Sequence, residues 1–266
     1  EPWDWEHYAE RVRRARYDLD EEQIKQYFEL DRVLQSGVFY AATRLYGITF
    51  KERDDLPVYH PDVRVFEVTD ADGSPLTLFY CDFFARANKN GGAWMDSLIT
   101  QSKLLGARPV IYNVANFMKP ASGEPALISF DDVTTMFHEF GHALHGFFAD
   151  QQYPSLSGTS VARDFVELPS QFNEHWATEP TVFANYAKHH ASGAPMPQDL
   201  TERIKQAEKF NQGYRLTEVL GAALLDMAWH TLPADAPLMD VDTFETKALN
   251  ENDVNIRTVP PRYRSS

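Results

Sequence analysis

The sequence predicts a mainly α protein with a small antiparallel β-sheet placed ahead of its central helix. Three observations carry that prediction. Apolar residues recur at helical spacing through residues 4–47 and again from residue 129 onward. Between them, VRVFEV, LTLFYCDFF and RPVIYNVANF are short strand-like runs, the first two with clear alternation. TDADGSP and MKPASGEP supply the turn chemistry that bounds those runs.

Taken in order, residues 4–36 place Tyr8, Val12 and Ala15, then Ile24, Tyr27, Phe28, Leu30 and Leu34, among many charges. That spacing predicts a pair of amphipathic helices broken near YDLDEEQ. SGVFYAATRLYGI continues as helix and stops at Gly47. VRVFEV and LTLFYCDFF, joined by TDADGSP, form a β-hairpin. GGAWMDSLITQ is expected to be irregular and then helical, and RPVIYNVANF is the third strand. Ser129 with Asp132 three residues on resembles a capping box and opens the next helix. Further helices are expected around 163–178, 181–191, 199–211 and 213–231, separated by SGAPMP and LPADAPLMD. Neither a repeat nor a low-complexity tract is present.

The chain has 266 residues, 43% of them hydrophobic, which suffices for a sizeable core. A net charge of −14 repels phosphate backbones and anionic lipid surfaces, so neither nucleic acid nor membrane is an expected partner. Cys81 is the only cysteine, which excludes an internal disulfide and a thiolate zinc cluster and fits a cytoplasmic location. No apolar run approaches the roughly 20 residues that span a bilayer. The chain opens on EPWDWEHYAE without an initiator Met and closes on VPPRYRSS, and is read as a piece of a longer protein.

The chemistry concentrates in TTMFHEFGHALHG, residues 134–146. On a helix His138 and His142 lie one turn apart, about 6 Å, on one face. Both imidazoles can then reach one ion at the ~2.1 Å of a zinc–nitrogen bond. Glu139 is rotated by about 100° from His138, beside the ion without ligating it, where a carboxylate can take a proton from water. Gly141 is costly in an ordinary helix interior and is consistent with close approach of another element.

A third protein ligand is needed. A metzincin would require Gly at 145 and His at 148, where this chain has His145 and Phe148. His145 itself is displaced by about 10 Å along the axis from His138, too far to share one ion comfortably. The remaining option is a carboxylate from a following helix. In RDFVELPSQFNEHWA, Phe165, Leu168, Phe172 and Trp176 form an apolar stripe that predicts packing on the core. Glu167 lies off that stripe, near a helix start marked by Pro169. An ionised Glu held against a core requires a partner, and zinc supplies one. Asp164, Gln171 or Glu174, on the same face, are candidates to orient the ligands from behind.

FHEFGHALHG, followed after 24 intervening residues by the Glu of DFVELPSQFNEHWA, resembles the zinc peptidases related to thimet oligopeptidase. NEHWAT, ALLDMAWH and VPPRYRSS are similar to the peptidyl-dipeptidase branch rather than to oligopeptidase A. Aminopeptidases with the same first motif carry their Glu at position 161, which here is Val161. The resemblance implies a gluzincin-type zinc peptidase core with one Zn2+ per chain held by His138, His142 and Glu167, and Glu139 as catalytic base. It implies a two-lobed molecule, monomeric in its full-length form, whose channel admits short peptides. It also implies that an edge strand within residues 108–117 holds substrate by β-addition, through backbone groups around Asn113, Ala115 and Asn116.

Residues 1–266 would then be the catalytic region of a larger chain, lacking most of the N-terminal half and the Gly- and Tyr-rich loop that follows PRYRSS in the family. Release of C-terminal dipeptides is the expected reaction. Internal cleavage, and a catalytically silent zinc- and peptide-binding fragment, are the alternatives. A structural zinc site is disfavoured, since such sites use four protein ligands. Arg163, Lys209 and Arg215 are unassigned candidates to capture the substrate carboxylate.

Overall fold

A computed structural model describes residues 4–17, 19–207 and 209–255. The closing VPPRYRSS stretch lies outside the described residues. The chain divides into two compact units, residues 21–196 and residues 1–20 with 197–266.

The larger unit opens with α2 (Glu21–Lys25), after α1 (Trp5–Tyr17) of the smaller unit. Next comes one continuous helical segment: α3 (Leu30–Arg32), a π-helical stretch Val33–Phe39, and α4 (Tyr40–Tyr46), ending at Gly47 as expected. Five strands follow: β1 (Thr49–Glu52), β2 (Arg64–Thr69), β3 (Pro75–Phe84), β4 (Trp94–Ile99) and β5 (Val110–Phe117). Then come α5 (Phe130–Phe147), α6 (Leu168–Glu174) with a 3-10 turn over His175–Ala177, and α7 (Pro180–Tyr186).

The predicted hairpin is present as β2 and β3, antiparallel with Phe66 opposite Phe79. Two expectations are corrected. The sheet is mixed, not antiparallel throughout: its order is β1-β2-β3-β5-β4, and β3 and β5 run parallel. GGAWMDSLITQ is not helical but contributes β4, which pairs antiparallel with β5. Asp96 and Ser97 interrupt its apolar pattern, and as an edge strand it is only half-buried, so alternation is weak there.

The same pairing removes β5 from the edge. Asn113 lies opposite Cys81 on one side and Met95 on the other. The expectation that residues 108–117 form a substrate-binding edge is therefore overturned; the edge on that side is β4.

One face of the sheet packs on α5 through aromatic rings. Phe79 meets Phe140 and Phe147 at centroid separations of 5.6 and 5.2 Å, and Phe39 stacks on Phe50 at 3.9 Å. Burying each ring contributes roughly 2–3 kcal/mol. α5 starts where the sequence predicts. Ser129 Oγ accepts from the Asp132 amide and Asp132 Oδ2 accepts from the Ser129 amide, closing the capping box.

The smaller unit contains α1, α8 (Gln198–Ala207), α9 (Gln212–His230) and α10 (Val241–Glu251). α9 and α10 share a small core of Leu225, Ala248 and Leu249, with Trp229 against Phe244 at 3.8 Å. Among the described residues no helix is long and apolar enough to cross a membrane.

Candidate metal centre

α5 and α6 carry the site. α5 is buried along most of its length, while His138 lies at the margin of that buried surface. The helical spacing brings the rings of His138 and His142 to 5.0 Å. Their Nε2 atoms lie 3.3 and 3.1 Å from the same oxygen, Oε2 of Glu167. Ligand atoms from these three residues fall within 4.8 Å of one another, the set that could hold a metal ion among the described residues. His145 is outside that set; its ring meets Phe165 at 6.3 Å.

The donor set fits zinc on its own chemistry. Glu174 Oε1 lies 2.6 Å from His138 Nδ1, and a carboxylate there keeps the proton on Nδ1 and the lone pair on Nε2. Two imidazoles and a carboxylate are zinc's ordinary ligands.

Glu167 arrives by a route the sequence argument did not anticipate. It is the residue before α6, with Pro169 at the second helical position. Its side chain is 49% exposed, so the supposition that core burial demands a partner is wrong. The predicted apolar stripe does not pack on the core either: Phe165, Leu168 and Phe172 are exposed. The inward face of α6 is Ser170 and Asn173. Small and polar residues win there because the two helices nearly touch. A Cβ at Gly141 would stand 2.7 Å from Pro169 O and 2.9 Å from Asn173 Cβ. A bulky stripe has no room in that seam.

Ser170 and Asn173 are the site residues missed from sequence. Ser170 Oγ donates within reach of both Glu167 Oε2, at 2.8 Å, and its carbonyl. Asn173 Nδ2 donates to Phe137 O at 2.6 Å, one residue before His138. Gly141, costly in mid-helix, was the signal that pointed to this seam. Of the three residues expected to support the ligands, Glu174 is in place. Asp164 and Gln171 are exposed, and among the described residues no side-chain hydrogen bond ties either to the histidines.

Glu139 is 8% exposed and follows His138 directly on α5. Burial pushes its carboxyl up to about 7, with the Glu167 charge adding and His138 opposing. Burial depresses His142 and His145, favouring neutral imidazoles. Glu167 is held below the usual carboxylate range, first by the Ser170 hydroxyl and then by the two histidines.

The residues expected to meet substrate already have surroundings of their own. Asn113 and Ala115 are buried, and Ala115 O accepts from Lys89 Nζ at 2.5 Å. Asn116 Nδ2 donates to Asn90 O and Gly92 O at 2.8 and 2.7 Å, bracing the approach to β4. Arg163 is an exposed residue of the loop before α6, while Lys209 and Arg215 belong to the smaller unit.

Residues 1–265 match Peptidase family M3. The chain is 59% identical over 266 residues to a dipeptidyl carboxypeptidase of Escherichia coli (strain K12), covering 100% of this chain and 39% of that protein. A Salmonella typhimurium dipeptidyl carboxypeptidase is 59% identical over 264 residues, covering 99% and 39%. Oligopeptidase A of E. coli (strain K12) is 39% identical over 234 residues, covering 86% and 34%. The chain thus spans about two fifths of the length of the first two relatives.

Proposed function

The chain belongs to peptidase family M3, and from that premise we propose that it carries the catalytic centre of a zinc peptidase that releases dipeptides from the C-terminus of short peptides. The convergence of His138 and His142 Nε2 on Glu167 Oε2, with Glu139 buried alongside, is the observation that carries the reading. His138, His142 and Glu167 would hold one zinc ion. That ion supplies Lewis acidity toward a carbonyl oxygen.

The protein's own groups do the proton work. Glu139, buried beside the histidines, would as a carboxylate accept a proton from an attacking water and return it to the leaving amine. Glu174 fixes the tautomer of His138, and Ser170 fixes Glu167. β4, the edge strand packed on α5 through Met95, is the surface on which an extended peptide adds. The names of the two relatives at 59% identity support dipeptide release; the resemblance to oligopeptidase A supports internal cleavage as the second reading.

Elemental analysis of the chain and of Glu167→Ala, with mass spectrometry of the products from an N-acylated hexapeptide, tests both parts. The expected result is about one zinc per chain, lost in the variant, and stepwise loss of C-terminal dipeptides. Products cut at internal bonds alone would shift the reading to an oligopeptidase. A chain that takes up no zinc would overturn it.

A further inference from the structure

We propose that the side-chain oxygen of Asn113 is the acceptor for the Nδ1 proton of His142, which makes Asn113 a positioning residue of the metal centre. The inference rests on the reading that His142 binds metal through Nε2.

The two histidines are unequally supported. His138 Nδ1 is held by Glu174 at 2.6 Å, whereas His142 Nδ1 is buried with no hydrogen-bond partner. Asn113 Oδ1 is also buried and without a partner, on a residue only 4% exposed. A buried donor or acceptor left unpaired costs about 1–3 kcal/mol. The two are not bonded to each other in this structure; one orphan is a donor once Nε2 takes a metal and the other is an acceptor, so a bond between them would answer both needs.

Placement brings them to the same interface. On a strand, Asn113 shares a face with Ile111. That is the face α5 covers, because Ile111 Cδ1 lies 2.8 Å from where a Cβ of Gly146 would stand. Met95, opposite Asn113 in register, also reaches that spot, with Cε at 2.6 Å. His142 is one turn before Gly146. Among the described residues the other unpartnered buried atoms are Glu139 Oε2 and His145 Nδ1, both on α5, and Trp176 Nε1, which is a donor and cannot serve as the acceptor.

The test is made on the whole chain loaded with zinc. Nitrogen-edited NMR of the imidazole protons and zinc affinity by chelator competition are measured for the parent, Asn113→Leu, Asn113→Asp and Glu139→Gln. The expected result is a slowly exchanging His142 Nδ1 proton that Leu at 113 abolishes. Zinc affinity should fall about 10- to 100-fold with that change. Asn113→Asp, which keeps an oxygen there, and Glu139→Gln should retain the ring proton.

An unchanged proton and affinity in Asn113→Leu overturns the proposal, as does loss of the proton in Glu139→Gln alone. Should the Leu variant fail to fold, a His142 ring proton in the zinc-loaded parent that exchanges too fast to observe overturns it equally. A parent that binds no zinc overturns the metal reading and this proposal together.

Discussion

A Cβ at residue 141 would stand 2.6 Å from the Cα of Ser170. Glycine at that position is what lets α6 lie against α5, and α6 carries the Glu167 oxygen to both histidines. Gly141→Ala is expected to force the helices apart at a cost of about 1–3 kcal/mol, partly offset by the better helix propensity of Ala. Zinc affinity should fall further than stability does, because the third ligand moves with α6. Urea unfolding of the metal-free variant alongside zinc titration separates the two effects.

Glu174→Gln should keep the fold and weaken zinc binding by about 10- to 100-fold, since a neutral amide is a poorer acceptor for His138 Nδ1 than a carboxylate. Asp164→Asn, changing an exposed carboxylate, serves as the comparison and should leave affinity unaltered. Competition against a chelator checks both.

Glu139→Gln should bind zinc like the parent and lose peptide hydrolysis by at least about 100-fold, the scale of general-base catalysis. Unchanged turnover in this variant, measured on a quenched fluorescent peptide, would remove Glu139 from the proposed chemistry.

Glu139 also predicts a pH dependence of stability in the metal-free chain. Its folded-state pKa of about 7 lies above the ordinary value of 4.5. Below 4.5 both states hold the proton. Between 4.5 and 7 the unfolded chain has lost it and the folded chain has not, so stability falls as pH rises and levels off above 7. At about 1.4 kcal/mol per pKa unit the loss is at most about 3.5 kcal/mol, and Glu139→Gln should abolish that component. Denaturation midpoints at pH 5 and pH 8 read it directly.

Much of the site was legible because its information is local. His138, Glu139 and His142 are tied by helical geometry, and the Ser129–Asp132 capping box fixes where that helix begins. Glu167 was named from spacing, but the accompanying physical argument failed. Phe165, Leu168 and Phe172 look like a buried stripe, and only the contact at Gly141 decides that Ser170 and Asn173 face inward instead. Sheet order was invisible for a related reason. β5 is largely apolar whether it lies at an edge or in the interior. Its two partners come from residues 75–84 and 94–99, and no property of residues 110–117 alone selects them. Asp96 and Ser97 concealed β4 altogether.

The strand order has a consequence in time as well as in space. β3 and β5 are parallel neighbours with β4 attached outside them, so the hairpin-like β4–β5 pair cannot join the sheet until the longer β3–β5 loop has closed. β4 then hangs from a single partner. Its amides are expected to exchange with solvent before those of β3 and β5, a difference that hydrogen-exchange mass spectrometry resolves. The strand proposed to take a peptide on its edge is thus held less firmly than β3 and β5, and pairing with an added strand would protect it.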